Sequence, residues 1–272
     1  MTTTRSPRLA VLLGALVPGA GHAYAGRSGR ALAWFGIVSV LTFVGWALTG
    51  PLFLSQHRLE LPLAGKLALP TAIPEVANLI ETMVAQAWLR VVEPDSAPSE
   101  TAPLGAVLTA SAAILNVVAM SEAHWLCRGG AFGGGARSPA IAAMLAWLVP
   151  GAGHWWLGRR GKGAIAGAAL VLTFVLGVVL AEGTVVQRPR DQYFWSGEIL
   201  LGLPAIVASL ADAGRRVQHE MPLAELGLLC ATVAGLMNVL LMLDAYATAE
   251  RDLAPRPTTS PAREREATAR AA

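Results

Sequence analysis

The sequence predicts an all-α, polytopic integral membrane bundle built from two tandem homologous repeats, and three observations carry that reading. Of its 272 residues, 54% are hydrophobic and 14% charged, whereas a soluble domain carries about 25% charged residues. Uncharged apolar stretches cover residues 9–26, 31–50, 102–121, 138–158, 163–181 and 226–243, and about 20 such residues cross a bilayer as a helix. Third, the chain repeats itself. Residues 5–30, RSPRLAVLLGALVPGAGHAYAGRSGR, return at 137–162 as RSPAIAAMLAWLVPGAGHWWLGRRGK, with 15 of 26 positions identical. A repeat of that period is a duplicated domain rather than a solenoid. Uninterrupted apolar runs point to helices, because barrel strands alternate.

The first stretch, 9–26, ends in Val17-Pro18-Gly19-Ala20-Gly21-His22. With Arg5 and Arg8 before it and Ala23-Tyr24-Ala25 after, it has the form of a secretory signal. The same segment recurs deep in the chain at 138–158, with Trp155-Trp156-Leu157 in place of Ala-Tyr-Ala, so a retained membrane segment is expected. A glycine-arginine turn, 26–30, leads into the second stretch, 31–50. The third segment begins at Pro74. Val76, Leu79, Ile80, Met83, Val84, Ala87, Trp88 and Val91 fall at helical spacing opposite Glu75, Asn78, Glu81, Gln86 and Arg90, which predicts an amphipathic helix lying along the membrane interface. The fourth stretch, 102–121, completes copy one.

Copy two follows the same order through 138–158 and 163–181. Its third segment, 199–211, is 13 apolar residues broken by Pro204, short enough to be re-entrant or buried. Its fourth is 226–243. Asn116–His124 aligns with Asn238–Tyr246, an acid matching an acid, while the offset falls from 132 to 122. Residues 67–73 (LALPTAI) also resemble 201–207 (LGLPAIV). The expected domains are 1–128, 129–250 and a disordered tail, 251–272, rich in Pro, Ser, Thr and mixed charge. Six apolar segments are firm, and the two third segments are interfacial or re-entrant.

Lysine and arginine counts give an orientation. If only the second and fourth segments cross, a cytoplasmic N-terminus leaves 14 basic residues inside and 7 outside; if all but the third segments cross, or all eight, it leaves 13 and 8. Both termini are therefore predicted cytoplasmic under every count, while the counts do not choose among them. The near-identical turns 26–30 and 158–162 favour copies of the same sense over inverted ones.

Several residues are candidates for chemistry. Pro18, Gly19, Gly21 and His22, with Pro150, Gly151, Gly153 and His154, place a backbone break inside an apolar segment. Proline lacks an N–H, and glycine reaches backbone that other residues avoid. Lipid cannot satisfy the freed amides and carbonyls, and the two histidines stand where they supply partners. Structurally, each is a buried imidazole holding a tight turn; functionally, the pair forms a ligand or proton site where the copies meet. Arg27 and Arg159, with Arg30, Arg160 and Lys162, are boundary charges that set topology, or cations that clamp lipid phosphates. Gly163 and Gly167 have helix-contact spacing, but copy one has Ala31 and Phe35 there.

Asn116 and Asn238 are candidates for interhelical hydrogen bonds, each contributing about 0.6–2 kcal/mol in a membrane. Glu122 and Asp244 fall near segment ends, where ionisation stays close to water. Six residues separate each asparagine from its acid, about 240° around a helix, so they are expected to serve different partners. The eight tryptophans (34, 46, 88, 125, 147, 155, 156 and 195) read as an interfacial belt. Cys127 and Cys230 read as packed thiols. No HxxxH, CxxC or HExxH spacing is present, so neither metal nor cofactor is expected. The absence of a nucleophile–base arrangement argues against an enzyme. The net charge of +3 is scattered among short loops, which argues against nucleic acid.

The block LVPGAGH followed by Gly-Arg-x-Gly-Arg/Lys resembles a bacterial family of uncharacterised polytopic membrane proteins whose hallmark is a PGxGHxYxGR hairpin. More distantly it is similar to two-helix transmembrane domains with a glycine-rich turn. Copy two is the better match, with Trp155-Trp156-Leu157-Gly158-Arg159 where that family has an aromatic before Gly-Arg; Ala25 in copy one departs mildly. The resemblance implies a cell inner membrane protein and no particular activity. The leading expectation is a structural or assembly protein whose hairpins pack against each other, the lipid bilayer, a membrane-protein partner or a second copy of the chain. The alternative is a small carrier or lipid-handling protein with a site between the repeats.

Overall fold

A computed structural model of the chain describes residues 5–49, 59–61, 65–67, 74–92, 100–130, 137–186, 192–211 and 222–253. These are helical apart from turns and a small antiparallel hairpin, β1 (Leu59–Leu61) and β2 (Gly65–Leu67). Copy one contains α1 (Pro7–Leu16), α2 (Ala20–Tyr24), α3 (Ser28–Thr49), a 3-10 turn (Glu75–Asn78) running into α4 (Leu79–Val92), and α5 (Ala102–Cys127). Copy two contains α6 (Pro139–Leu148), α7 (Ala152–Trp156), α8 (Arg160–Leu180), α9 (Gln192–Glu198), a 3-10 turn (Ile199–Leu201), α10 (Leu203–Ala211) and α11 (Ala224–Leu253).

The first apolar stretch of each copy is two helices rather than one continuous segment. Ser6 and Ser138 cap α1 and α6, each with proline at the first helical position, an arrangement that satisfies an orphan amide at a helix start. Both helices stop after 10 residues, about 15 Å of rise, because the proline-glycine turn intervenes. Among the described residues, four helices are long and apolar enough to cross a membrane: α3, α5, α8 and α11. Their 21 to 30 residues correspond to about 32–45 Å.

The copies share one packing plan. α5 packs against α1 and α3, and α11 packs against α6 and α8. Close approach of each long antiparallel pair depends on matched glycines. A Cβ added at Gly177 or at Gly227 would lie 2.6 Å from the other's carbonyl oxygen, and one at Gly45 would lie 2.9 Å from that of Gly105. The largest apolar cluster is continuous across the repeats, joining Ala106, Val107, Ala110 and Ile114 of α5 to Trp147, Phe174, Trp195 and Leu228 of copy two.

Several expectations are corrected here. The third segment of copy one, the 3-10 turn and α4 together, does not turn its polar side outward: Glu75, Asn78, Glu81 and Thr82 are buried, while Ile80, Met83, Val84 and Trp88 are exposed. The periodicity was right about the helix and gave no information on which face meets the protein. In copy two, Gly202 (φ 80°) makes the break, and Pro204 sits harmlessly in the first turn of α10. Leu67 ends a strand while Leu201 ends a 3-10 turn, so that likeness is not a structural equivalence; residues 68–73 lie outside the described set.

Tryptophans 46, 125, 147 and 195 are core residues, and only Trp88 and Trp155 are largely exposed, which limits the belt reading. Gly163 and Gly167 pack under the Pro150–Gly151 turn of their own copy rather than against another long helix. α11 continues through Leu253, three residues into the expected tail, and 254–272 lie outside the described residues. Cys127 and Cys230 are free thiols, half-buried.

Candidate functional site

The PGAGH motif builds the same object twice. In Val17-Pro18-Gly19-Ala20, the Ala20 amide donates to the Val17 carbonyl at 3.0 Å, with Gly19 at φ 80°, ψ −17°. Copy two has Ala152 to Val149 at 2.9 Å and Gly151 at φ 86°, ψ −15°. Proline followed by a left-handed glycine is a type II turn, so the break satisfies its own carbonyl. Gly21 and Gly153 then press α2 and α7 onto the Ala10 and Ala142 carbonyls, where a Cβ would overlap the oxygen. At the far end, Gly26 and Gly158 close each short helix at φ 78° and 85°. Arg27 donates to the His22 carbonyl and Arg159 to that of His154, both at 2.8 Å, which is the Schellman pattern.

Between turn and cap, the short helix carries one chemical group inward. His22 is buried, and its Nε2 lies 3.0 Å from Oε2 of Glu122, one hundred residues away on α5. The Trp34 indole donates to the same oxygen at 2.9 Å, and Arg30 donates to Oε1. The His22 and Trp34 rings stack at 6.3 Å. An ionised carboxylate only accepts, so Nε2 carries the hydrogen. In copy two, His154 Nε2 donates to Oδ2 of Asp244 at 2.6 Å and Lys162 donates to the same oxygen. The acids differ in closure: the Glu122 side chain is 2% exposed and Asp244 36%. His154 Nδ1 is buried without a hydrogen-bond partner.

Each site therefore joins turn, second helix and fourth helix of one copy, with an acid, a histidine and a base. This corrects two expectations. His22 and His154 do not meet between the copies, and Glu122 does not sit at the water's edge. The Gly-Arg turn residues themselves point elsewhere: Arg27 is exposed, and Arg159 reaches Asp252 at 3.4 Å on the surface. Arg30 and Lys162, three residues later, hold the acids. The separation of asparagine from acid does hold. Asn116 donates to the Gly14 and Ala77 carbonyls at 3.1 and 3.0 Å, and Asn238 donates to the Leu200 carbonyl at 2.9 Å. They tie the third segments, not the acid sites.

Sequence reasoning missed the pairing of histidine with acid and missed a second acid in each copy. Glu75 and Glu198, both buried, occupy matching positions beside the carbonyls that Asn116 and Asn238 hold. The available signal was the pair of matched positions in the two copies. Among the described residues, no group of three or more His, Cys, Asp or Glu is placed to hold a metal ion.

The two copies touch through equivalent ends. The Tyr246 hydroxyl donates to the Ser121 carbonyl at 3.1 Å, and Arg128 pairs with Glu250 at 3.1 Å. The C-terminal ends of α5 and α11 thus lie side by side, so the copies have the same sense. No curated protein and no solved structure matches the chain. The description "Family of unknown function (DUF6677)" matches residues 9–133 and again 141–256. Those two matches cover most of the sequence, and the protein belongs to that family, which it carries twice in tandem.

Proposed function

We propose that the protein is an integral membrane protein of structural or assembly type, not an enzyme. It crosses the bacterial inner membrane four times, with both termini in the cytoplasm. Its outer surface of exposed leucine, valine and isoleucine on α3, α8 and α11 contacts lipid and a membrane-embedded partner or second copy. One observation carries this reading over the carrier alternative: the contact between the copies is a continuous apolar core running from Ala106 and Ile114 to Phe174 and Leu228. A carrier with its site between repeats needs a polar cavity there and two arrangements of the halves. Packed cores resist sliding because they are dense and interdigitated.

Spin labels on exposed Ser28→Cys and Arg160→Cys, with Cys127 and Cys230 replaced, test this directly. Pulsed electron-spin distance measurement in liposomes is expected to give one narrow distance population. Two exchanging populations would overturn the structural reading and favour the carrier.

A further inference from the structure

Copy one contains a polar seam that extends beyond Glu75, the one buried acid it shares with copy two at the Glu198 position. Along the inward side of the third segment, the Thr109 hydroxyl donates to Glu75 at 2.7 Å, and Asn78 Nδ2 donates to Thr42 at 3.3 Å. The Ser39 hydroxyl donates to Glu81 Oε1 at 2.6 Å. Three oxygens on this face remain buried with no hydrogen-bond partner: Asn78 Oδ1, Glu81 Oε2 and Thr82 Oγ1. Their side chains belong to residues 2%, 9% and 2% exposed. Positions 78, 81 and 82 are i, i+3 and i+4, neighbours on one helix face.

Copy two supplies an internal comparison. The fold correspondence that matches Ala77 with Leu200 and Glu75 with Glu198 puts Leu201 opposite Asn78 and Ala205 opposite Thr82, both fully buried. The repeat offsets likewise put Phe174 for Thr42 and Ala231 for Thr109. The same fold thus closes with apolar packing at these places, so the polar atoms of copy one are not demanded by it. An unpaired buried hydroxyl, amide or carboxylate oxygen costs free energy. Three on one face, one of them a carboxylate oxygen, form a set of hard donors that no group among the described residues satisfies.

We propose that this seam binds a small monovalent cation, Na+, through Asn78 Oδ1, Glu81 Oε2 and Thr82 Oγ1, with Glu81 supplying the balancing charge. The donors are all hard oxygens, which select alkali and alkaline-earth ions over zinc or copper. One ligating carboxylate with two neutral oxygens matches a single positive charge. Mg2+ keeps several waters and a strict octahedron, which a tightly packed helix face does not provide. The site lies wholly within copy one, so it stands or falls separately from the structural reading of the whole protein.

Radiolabelled sodium binding to the purified full chain in detergent, read by scintillation proximity, tests the proposal. Saturable binding displaced by NaCl and unaffected by choline chloride is expected. Asn78→Leu, which installs the copy-two residue, and Glu81→Gln should each weaken binding at least tenfold. NaCl should also raise the melting temperature of the unaltered protein relative to choline chloride, and not that of the variants. Should either variant fail to fold, Thr82→Val, which keeps the side-chain shape, reads the same site with the same expected loss. No saturable binding, equal binding in all folded variants, or stronger displacement by KCl than by NaCl overturns the assignment; the first of these leaves the oxygens to ordinary buried water.

Discussion

Glu122 and Asp244 perform the same task in different surroundings, and the difference sets what their loss costs. Glu122 receives three donors, from His22, Trp34 and Arg30, while almost wholly out of solvent. Removing one partner of a buried pair strands the other charge and costs about 3–5 kcal/mol. Asp244 is more than a third exposed and receives two donors, and a pair open to solvent is worth about 0–1 kcal/mol. Glu122→Ala is therefore expected to lower unfolding stability in detergent by several times more than Asp244→Ala. Equal losses in denaturant unfolding would refute that ordering. The sequence already displayed each of these residues, through the repeat. It did not display their pairing, because one hundred residues separate His22 from Glu122 and helical spacing is blind to which two faces meet. The 240° between Asn116 and Glu122 was legible, since it depends on a single helix alone.

At the scale of an element, the PGAGH hairpin was legible as a break but not as a motif in which every glycine has its own reason. Gly19 holds a left-handed turn position and lies against the Ala31 carbonyl; Gly36, inside α3, has open space around its Cβ position. Left-handed backbone costs a residue with a Cβ roughly 1–2 kcal/mol, and the overlap with the carbonyl adds to it. Replacing glycine by alanine inside an unobstructed helix instead gains up to about 1 kcal/mol. Gly19→Ala is thus expected to destabilise and Gly36→Ala to be neutral or stabilising, read by melting temperature; the same sign for both contradicts the geometry. The third segment of copy one shows why face assignment failed. In water the polar side of an amphipathic helix faces out. The proposed hydrocarbon surroundings would invert the preference, in keeping with Glu75, Asn78 and Glu81 turning toward Thr109, Thr42 and Ser39. Only knowledge of the surrounding solvent, not the period, decides between the two.

For the whole molecule, sense of the repeats follows from which ends touch. Tyr246 meets Ser121 and Arg128 meets Glu250, and these positions are near equivalents in the duplicated sequence. An inverted pair would put the end of α5 beside the start of α11. Two candidate crossings per copy would also return the chain to its starting side before copy two begins, and under the proposed four crossings the count of 14 basic residues against 7 is the one a cytoplasmic start predicts. Ser28 and Arg160, both exposed at the starts of α3 and α8, should therefore lie on one face of the membrane. Single cysteines placed there, with Cys127 and Cys230 replaced, are expected to react with a membrane-impermeant maleimide only after the cytoplasmic face is opened. Reaction of both from the outer face would reverse the orientation and leave the repeat sense intact. Reaction from opposite faces would break the link between the helix ends and the membrane, because the starts of α3 and α8 pack beside the C-terminal ends of α5 and α11, which Tyr246 and Arg128 hold together.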